Sequence, residues 1–177
     1  MTLGERVMSA LDARGIAHAM IGAAALAAAG VARSTLDLDL LTLDPRVLDQ
    51  ALWSELRATG SEIDVRRGDA DDPLAGVVRL SLTGERPVDI ILGRHAWQHR
   101  AVERAQRLPD GTKVVLARDL VLLKLYAGGT QDLWDIRQLL SVLADTSLVA
   151  DVEAELAVLP DDARALWTSA RKPDTNR

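Results

Sequence analysis

Short apolar runs and helix-spaced apolar positions alternate along the first half of the chain. Residues 4–14 carry apolar side chains at helical spacing and are followed by Gly15, which predicts a first helix. A run of small residues at 23–29, between Gly22 and Gly30, predicts a second helix. Apolar runs bounded by polar turns predict strands over residues 17–21, 36–41, 62–65, 77–82, 88–92 and 112–116. This interleaving favours an α/β (α+β) fold with a short mixed sheet flanked by helices.

Three further signals complete the pattern of this half. Asp44-Pro45 combines a capping residue with a proline suited to a first helical turn, and predicts a helix that continues to Gly60. Residues 94–106 also have a helical pattern. The polar turn after residue 82 predicts a hairpin between the 77–82 and 88–92 strands.

The chain is helical in pattern after Ala117. Three breaks interrupt this region, at Gly128-Gly129, Asp145-Thr146 and Pro160-Asp161. We therefore expect a core over residues 1–116, a helical C-terminal region packed on it over 117–170, and a disordered tail over 171–177.

Composition excludes several kinds of site. The chain has no cysteine, which excludes disulfides, thiolate metal sites and a cysteine nucleophile. It shows no leader peptide and no apolar run of about 18 residues, so we expect a cytoplasmic protein without a membrane partner. A net charge of −5 makes it a poor non-specific binder of phosphate backbones, although a local basic patch could still hold a nucleic acid.

Three aspartates lie in apolar, strand-like runs. Asp37 and Asp39 are predicted to share one face of a strand, about 6.6 Å apart along it, and Asp89 lies in the later run VDII. Buried charge needs compensation, and Mg²⁺ prefers oxygen ligands. If the two strands are neighbours, three carboxylates could hold two metal ions, with Asp89 also accepting a proton from an attacking hydroxyl. An Asp-x-Asp pair alone also occurs at solvated strand ends, so the metal interpretation depends on the third aspartate and on an upstream glycine.

That glycine is Gly22, at a predicted junction between a strand and a helix. Free N–H groups at such a junction bind phosphate oxygens, and glycine allows their close approach. Ala23 follows it, and Arg33 and Thr35 supply further donors before the aspartates. The combination is typical of divalent-metal phosphoryl or nucleotidyl transfer.

These residues carry a family resemblance. The stretch IGAAALAAAGVARSTLDLDLL at 21–41, with VDII at 88–91, resembles the core of the nucleotidyltransferase superfamily with the DNA polymerase β-like fold. The order of Arg33, Thr35, Asp37 and Asp39, followed by a helical segment with lysine and aspartate, is similar to the AbiEii-type toxin branch. The resemblance covers about residues 17–143.

The resemblance implies an enzyme that moves a nucleoside monophosphate from an NTP to a hydroxyl and releases pyrophosphate. It implies Mg²⁺, with two ions held by the three aspartates, and Lys124 contacting the triphosphate beside Asp132 and Asp135. It also implies a tRNA or protein acceptor, and the role of a toxin with a cognate antitoxin.

Several alternatives stay open at this level. Lys124 either extends from a packed helix towards solvent or points into a phosphate cleft, and Asp132 suits a helical first turn in any case. The acceptor could instead be a small aminoglycoside-like molecule. A non-catalytic nucleotide- or partner-binding module is a third possibility, because Gly22 is followed by alanine where relatives carry glycine or serine.

Overall fold

The structure is a computed structural model that describes residues 1–33, 35, 37–144 and 146–172. Within these residues, seven strands form one sheet in the order β3-β4-β5-β2-β1-β7-β6. Their bounds are β1 His18–Met20, β2 Leu38–Thr42, β3 Glu62–Arg67, β4 Gly76–Ser81, β5 Val88–Leu92, β6 Gln106–Arg107 and β7 Lys113–Val114. The helices are α1 Leu3–Ala13, α2 Gly22–Ala28, α3 Ser54–Ala58, α4 Ala96–Glu103, α5 Ala117–Ala127, α6 Thr130–Val142, α7 Leu148–Glu155 and α8 Asp161–Ala170.

The sheet is mixed. β2 runs parallel to β5 and antiparallel to β1, while β4 pairs antiparallel with both β3 and β5. The predicted hairpin between the 77–82 and 88–92 runs is therefore confirmed. β6 was not predicted; the helix expected over 94–106 ends at Glu103, and the chain then pairs with β7.

One face of this sheet is covered by apolar packing. Alternate residues of β2, β4 and β5 point into a buried cluster with one face of α1, and the members from these four elements are Leu38, Leu40, Val78, Leu80, Val88, Ile90, Leu92, Leu3, Val7 and Leu11. Helix α1 begins with a capping box, in which Thr2 and Glu5 satisfy each other's backbone N–H groups. Since side chains alternate along a strand, the residues between these core positions point to the opposite face.

The prediction of one long helix after Asp44 is wrong. The chain instead forms two short 3₁₀ helices, Pro45–Leu48 and Gln50–Trp53, and then α3. The cause is Asp49, whose backbone is extended and whose carboxylate accepts the N–H of Ala51 at 2.9 Å, so that a new helical turn begins there.

Asp44 itself caps the first of these turns as expected. Its carboxylate accepts the backbone N–H of Arg46 at 3.0 Å and the Arg46 Nε at 2.9 Å, and this hydrogen bonding lowers its pKa. We expect Asp44→Ala to lower the free energy of unfolding by about 1 kcal/mol at neutral pH. A lowered pKa stabilises the fold above the unfolded pKa near 3.8 and loses that contribution as pH falls towards the folded value.

Urea denaturation of the native chain and of Asp44→Ala at several pH values measures this. The difference between the two proteins should narrow as pH falls below about 4. A difference that stays constant with pH would contradict the assignment of the effect to the Asp44 carboxylate.

The described chain forms two compact units. The first comprises Met1–Ala24 and Ser34–Val115, with the whole sheet, and the second comprises Ala25–Arg33 and Leu116–Arg177. In the second unit α5 packs on α6, α7 and α8, around buried side chains that include Leu122, Ile136 and Val152. The predicted division at residues 116 and 170 stays a prediction, and the part of the tail at 173–177 lies outside the described residues.

Helices of the described chain are all too short or too polar to cross a membrane. Mixed α/β architecture with a helical C-terminal half is as the sequence predicts. The expectation of a cytoplasmic location stays a prediction.

Candidate active site

A row of charged residues crosses four strands on the face opposite the apolar cluster. Asp64 of β3 lies opposite Arg79 of β4, Arg79 lies opposite Asp89 of β5, and Asp89 lies beside Asp39 of β2 in the parallel pair. The alternation of side chains puts all four on one face, because their neighbours in sequence belong to the apolar cluster. Asp39 and Asp89 are therefore brought together as the sequence predicts.

Asp37 is not in the strand. It lies in a bend just before β2 begins at Leu38, so the expected sharing of a strand face with Asp39 is wrong. The reason is a local hydrogen bond: the hydroxyl of Thr35 donates to Asp37 Oδ1 at 2.6 Å, which competes with strand pairing. Leu36, also expected in this strand, lies outside the described residues. Asp37 still reaches the row, since its Oδ2 is 4.0 Å from Arg79 Nη1.

Gly22 is tightly packed against the carboxylate of Asp39. The antiparallel pairing of β1 with β2 continues as a hydrogen bond from Ile21 N–H to the Asp39 carbonyl at 3.0 Å, which brings the next residue, Gly22, beside Asp39. A Cβ at Gly22 would lie 2.1 Å from Asp39 Oδ2, and the φ of Gly22 is +60°. Only glycine fits both the conformation and the space. Ala23, the next residue, is buried.

Arg79 and Asp64 are the members of the row that sequence reasoning missed. Arg79 Nη1 donates to Asp89 Oδ2 at 2.8 Å, and its side chain is 44% exposed against 15% for Asp89. The position of Arg79 could have been found from the predicted hairpin, because a turn centred on Gly84 puts Arg79 opposite Asp89.

The negative charge of Asp89 is only partly compensated by its surroundings. Burial raises the pKa of Asp89 above its ordinary value, the positive charge of Arg79 lowers it, and the negative charge of Asp37 raises it again. Asp89 Oδ1 is buried and has no hydrogen-bond partner among the described residues. Such an atom calls for a further cation or donor.

This arrangement fits a hard divalent cation in its donor chemistry. Asp37, Asp39 and Asp89 offer carboxylate oxygens, the ligands that Mg²⁺ prefers, and Asp89 Oδ1 is an unpartnered one. The described residues do not include a group of three acidic or histidine side chains already placed to hold an ion. Arg79 Nη1 lies 4.0 Å from Asp37 Oδ2 and 2.8 Å from Asp89 Oδ2.

The other predicted site residues form an ion-pair network in the second unit. Lys124 Nζ donates to Asp132 Oδ1 at 3.0 Å and to Asp135 Oδ2 at 2.5 Å. Arg33 Nη1 also donates to Asp135 Oδ2, at 2.6 Å. Lys124 and Asp135 are buried, and Asp132 additionally accepts the Gly129 N–H at the start of α6. One interpretation of Lys124 needs an ammonium group exposed to solvent, and the other needs one that is free to bind phosphate. In this unit the ammonium group is buried and already bound by two carboxylates.

Asp135 holds this network together, because it is fully buried between two cations. We expect Asp135→Asn to lower the free energy of unfolding by about 3 kcal/mol, since it leaves Lys124 buried with one carboxylate. Asp132→Asn is the matched control: its side chain is 24% exposed, and its loss is expected to stay below about 1 kcal/mol. Denaturant unfolding of both variants measures the difference, and equal losses would contradict it.

A groove of about 450 Å³ adjoins the charged row and is lined by Asp64, Arg66, Val77, Arg79 and Asp89. Its two arginines are both ion-paired: Arg66 Nε lies 2.9 Å from Asp64 Oδ2, and Arg79 pairs with Asp89. The lining therefore offers no uncompensated positive charge to a phosphate backbone.

Comparison with known proteins supports the fold. No protein-family model and no curated protein sequence matches the chain. The crystal structure of ANT(2'')-Ia in complex with adenylyl-2''-tobramycin is similar, with a TM-score of 0.56 and 15% identity over 88% of this chain and 95% of that chain. The solution structure of the same antibiotic-resistance factor has a TM-score of 0.54 and 14% identity, over 93% of each chain. Terminal uridylyl transferase 4 from Trypanosoma brucei with bound CTP has a TM-score of only 0.37, with 12% identity over 93% of this chain and 60% of that chain, and carries no weight.

At such identities the likeness concerns the fold. The nucleotidyltransferase-like architecture predicted from the sequence is confirmed by it. The assignment to the AbiEii-type branch is not supported by these structures and stays a prediction.

Proposed function

We propose that the chain is a divalent-metal-dependent nucleotidyltransferase that moves a nucleoside monophosphate from an NTP to a hydroxyl acceptor. The observation that carries the proposal is the pairing of Asp39 with Asp89 on neighbouring parallel strands, with Asp37 immediately before β2 and Asp89 Oδ1 without a partner among the described residues. The tight fit of Gly22 against Asp39 supports it, because it puts a Cβ-free turn beside the carboxylates.

The residues have distinct roles in this proposal. Asp37, Asp39 and Asp89 would hold Mg²⁺, which when bound neutralises and orients the phosphates for in-line displacement. Thr35 fixes the orientation of Asp37 through its hydroxyl. The absence of a Cβ at Gly22 lets the Asp39 carboxylate lie directly against the turn before α2.

The proposed reaction balances in one displacement. The acceptor oxygen bonds to the α-phosphorus, the bond from that phosphorus to the β-bridging oxygen breaks, and pyrophosphate leaves with the electron pair. Asp89 accepts the hydroxyl proton. Lys124 and Arg33 are not assigned a step, because their charges are already compensated in the second unit.

A small hydroxylated acceptor is favoured over a nucleic acid. The arginines that line the groove are both neutralised by carboxylates, which suits an uncharged or cationic molecule better than a polyanion. The name adenylyl-2''-tobramycin describes a nucleotide joined to a small aminoglycoside, and the structure that contains it covers almost the whole of this chain. Transfer to tRNA or protein, and with it a toxin–antitoxin role, is the alternative that the acceptor assay separates.

The assay is incubation of the purified chain with each α-labelled NTP and Mg²⁺, in separate reactions with an aminoglycoside, total tRNA or cell lysate. Label is expected in the small-molecule product with the native chain only, and Asp37→Asn is expected to abolish it while circular dichroism stays unchanged. Normal transfer by Asp37→Asn would overturn the metal site. Label in RNA or protein would instead support the toxin alternative.

A non-catalytic module gives a different pattern. Nucleotide would bind with the same affinity with or without Mg²⁺, and no label would move to any acceptor. That result would overturn the proposed reaction and leave the fold unaffected.

A further inference from the structure

We infer that Arg79 is a built-in counter-cation of the carboxylate site, which a divalent ion must displace, and that Asp64 receives it. The inference rests on the proposed metal site and adds to it a residue that sets the affinity for the metal. It concerns the row Asp64, Arg79, Asp89 and Asp39, which we call the charge row.

Arg79 places a positive charge among the carboxylates that are proposed as metal ligands. Its Nη1 is 2.8 Å from Asp89 Oδ2 and 4.0 Å from Asp37 Oδ2. These are two of the three carboxylates that the metal would use. In the absence of a divalent ion, the guanidinium offsets part of the electrostatic repulsion between Asp37 and Asp89.

A metal and this guanidinium cannot share the site at low energetic cost. The repulsion between a divalent ion and a single positive charge is twice that between two single charges at the same distance. Arg79 already binds Asp89 Oδ2, so the ion can use this carboxylate only through Oδ1, directly beside the guanidinium. The repulsion between the two cations therefore drives Arg79 away from Asp89 when the metal binds.

The strand register provides a second place for the guanidinium. Asp64 is directly opposite Arg79 on the other side, in the β3–β4 pair, and lies on the same face of the sheet. Arg79 is 44% exposed, so its side chain has room to turn within the solvent-filled groove. Asp64 currently binds Arg66, which is largely exposed and can be released to water.

The exchange predicts that metal affinity rises when Arg79 is removed. In Arg79→Gln we expect the dissociation constant of Mn²⁺, a spectroscopic substitute for Mg²⁺, to fall about three- to fivefold, the size typical of losing one partly exposed ion pair. Titration of the free protein followed by electron paramagnetic resonance measures this without any nucleotide. Arg79→Lys, which keeps the charge, should stay close to the native value.

Arg66→Gln is the matched control. Arg66 has the same charge, lies on the same face and lines the same groove, but pairs with Asp64 rather than with Asp89. If Arg79 acted only through its long-range charge, both glutamine variants would bind Mn²⁺ tighter by the same factor. We expect less than about 1.5-fold for Arg66→Gln at 0.15 M salt, where such fields are screened.

Thermal unfolding gives a second readout. Without divalent ions, Arg79→Gln should melt below the native chain, because the carboxylates lose their counter-cation, and Mg²⁺ should raise its melting temperature more than that of the native chain. Equal or weaker Mn²⁺ binding by Arg79→Gln would overturn the inference.

The failure of this inference and that of the proposed function are distinguishable. A native chain that transfers nucleotide, with Arg79→Gln and native protein binding Mn²⁺ equally, overturns the role of Arg79 alone. Absence of Mn²⁺ binding in both proteins together with absence of transfer overturns both.

Discussion

Replacing Asp39 with asparagine is expected to lower nucleotidyl transfer by at least about a hundredfold. Loss of a residue that only orients a metal ligand commonly costs 10- to 100-fold, and a ligand itself is expected to cost more. Asp39 is the central member of the site, because it lies beside Asp89 in the sheet and against Gly22 at the turn. Asparagine keeps the shape of the side chain and removes its charge, so the fold should be retained.

Rates of transfer from α-labelled NTP, with Mn²⁺ titration in parallel, measure this effect. Glu62→Gln is the control, since it removes an exposed carboxylate from β3, opposite Ser81 and outside the charge row. Its rate is expected within about threefold of native. If Asp39→Asn and Glu62→Gln had similar rates, the carboxylates would act through their total charge and not as specific ligands.

Gly22→Ala is expected to disable the site and to destabilise the fold. The φ of +60° costs a residue with a Cβ about 1–2 kcal/mol, and the added carbon would lie 2.1 Å from Asp39 Oδ2. Because the nearest atom belongs to a short side chain on a paired strand, Asp39 has to rotate away from its place beside Asp89. We expect transfer to fall at least about tenfold and Mn²⁺ affinity to fall with it.

Gly15→Ala is the control that separates the effect of backbone strain from that of the steric contact with Asp39. Gly15 has a φ of +63°, but a Cβ there would meet nothing within 4 Å. Both variants should therefore lose a similar part of the free energy of unfolding to backbone strain, while only Gly22→Ala loses metal affinity. Loss of Mn²⁺ binding in both would show that the effect comes from general destabilisation.

The facing of Asp39 and Asp89 could be predicted because each lies between apolar residues of a strand, and the place of Gly22 because it precedes a run of small helix-forming residues. A charged residue between buried leucines in a strand must point to the other face, and two such strands in one sheet bring their charges together. The pairing of Asp39 with Asp89 required only that β2 and β5 be neighbours. It did not require knowledge of the rest of the sheet.

The parts that could not be predicted depend on local competition or on register. Asp37 lies outside the strand because the Thr35 hydroxyl hydrogen-bonds to its side chain. Asp49 begins a new helical turn after Pro45–Leu48, because its carboxylate accepts a nearby backbone N–H. Residue propensities do not include such local side-chain hydrogen bonds, each of which contributes about 1 kcal/mol. Arg79 was missed for another reason: an arginine in a strand usually faces solvent, and only the register opposite Asp89 gives it a role.

The parallel pairing of β2 with β5 also orders the assembly of the protein. Hairpins such as β3–β4 and β4–β5 join strands that are close in sequence and can form early, whereas β2 and β5 are separated by α3, β3 and β4 and must close a long loop. Asp39 and Asp89 meet only once this loop has closed. A partly folded chain would carry every proposed ligand and yet have no affinity for the metal, so the capacity to bind the ion arises together with the native topology.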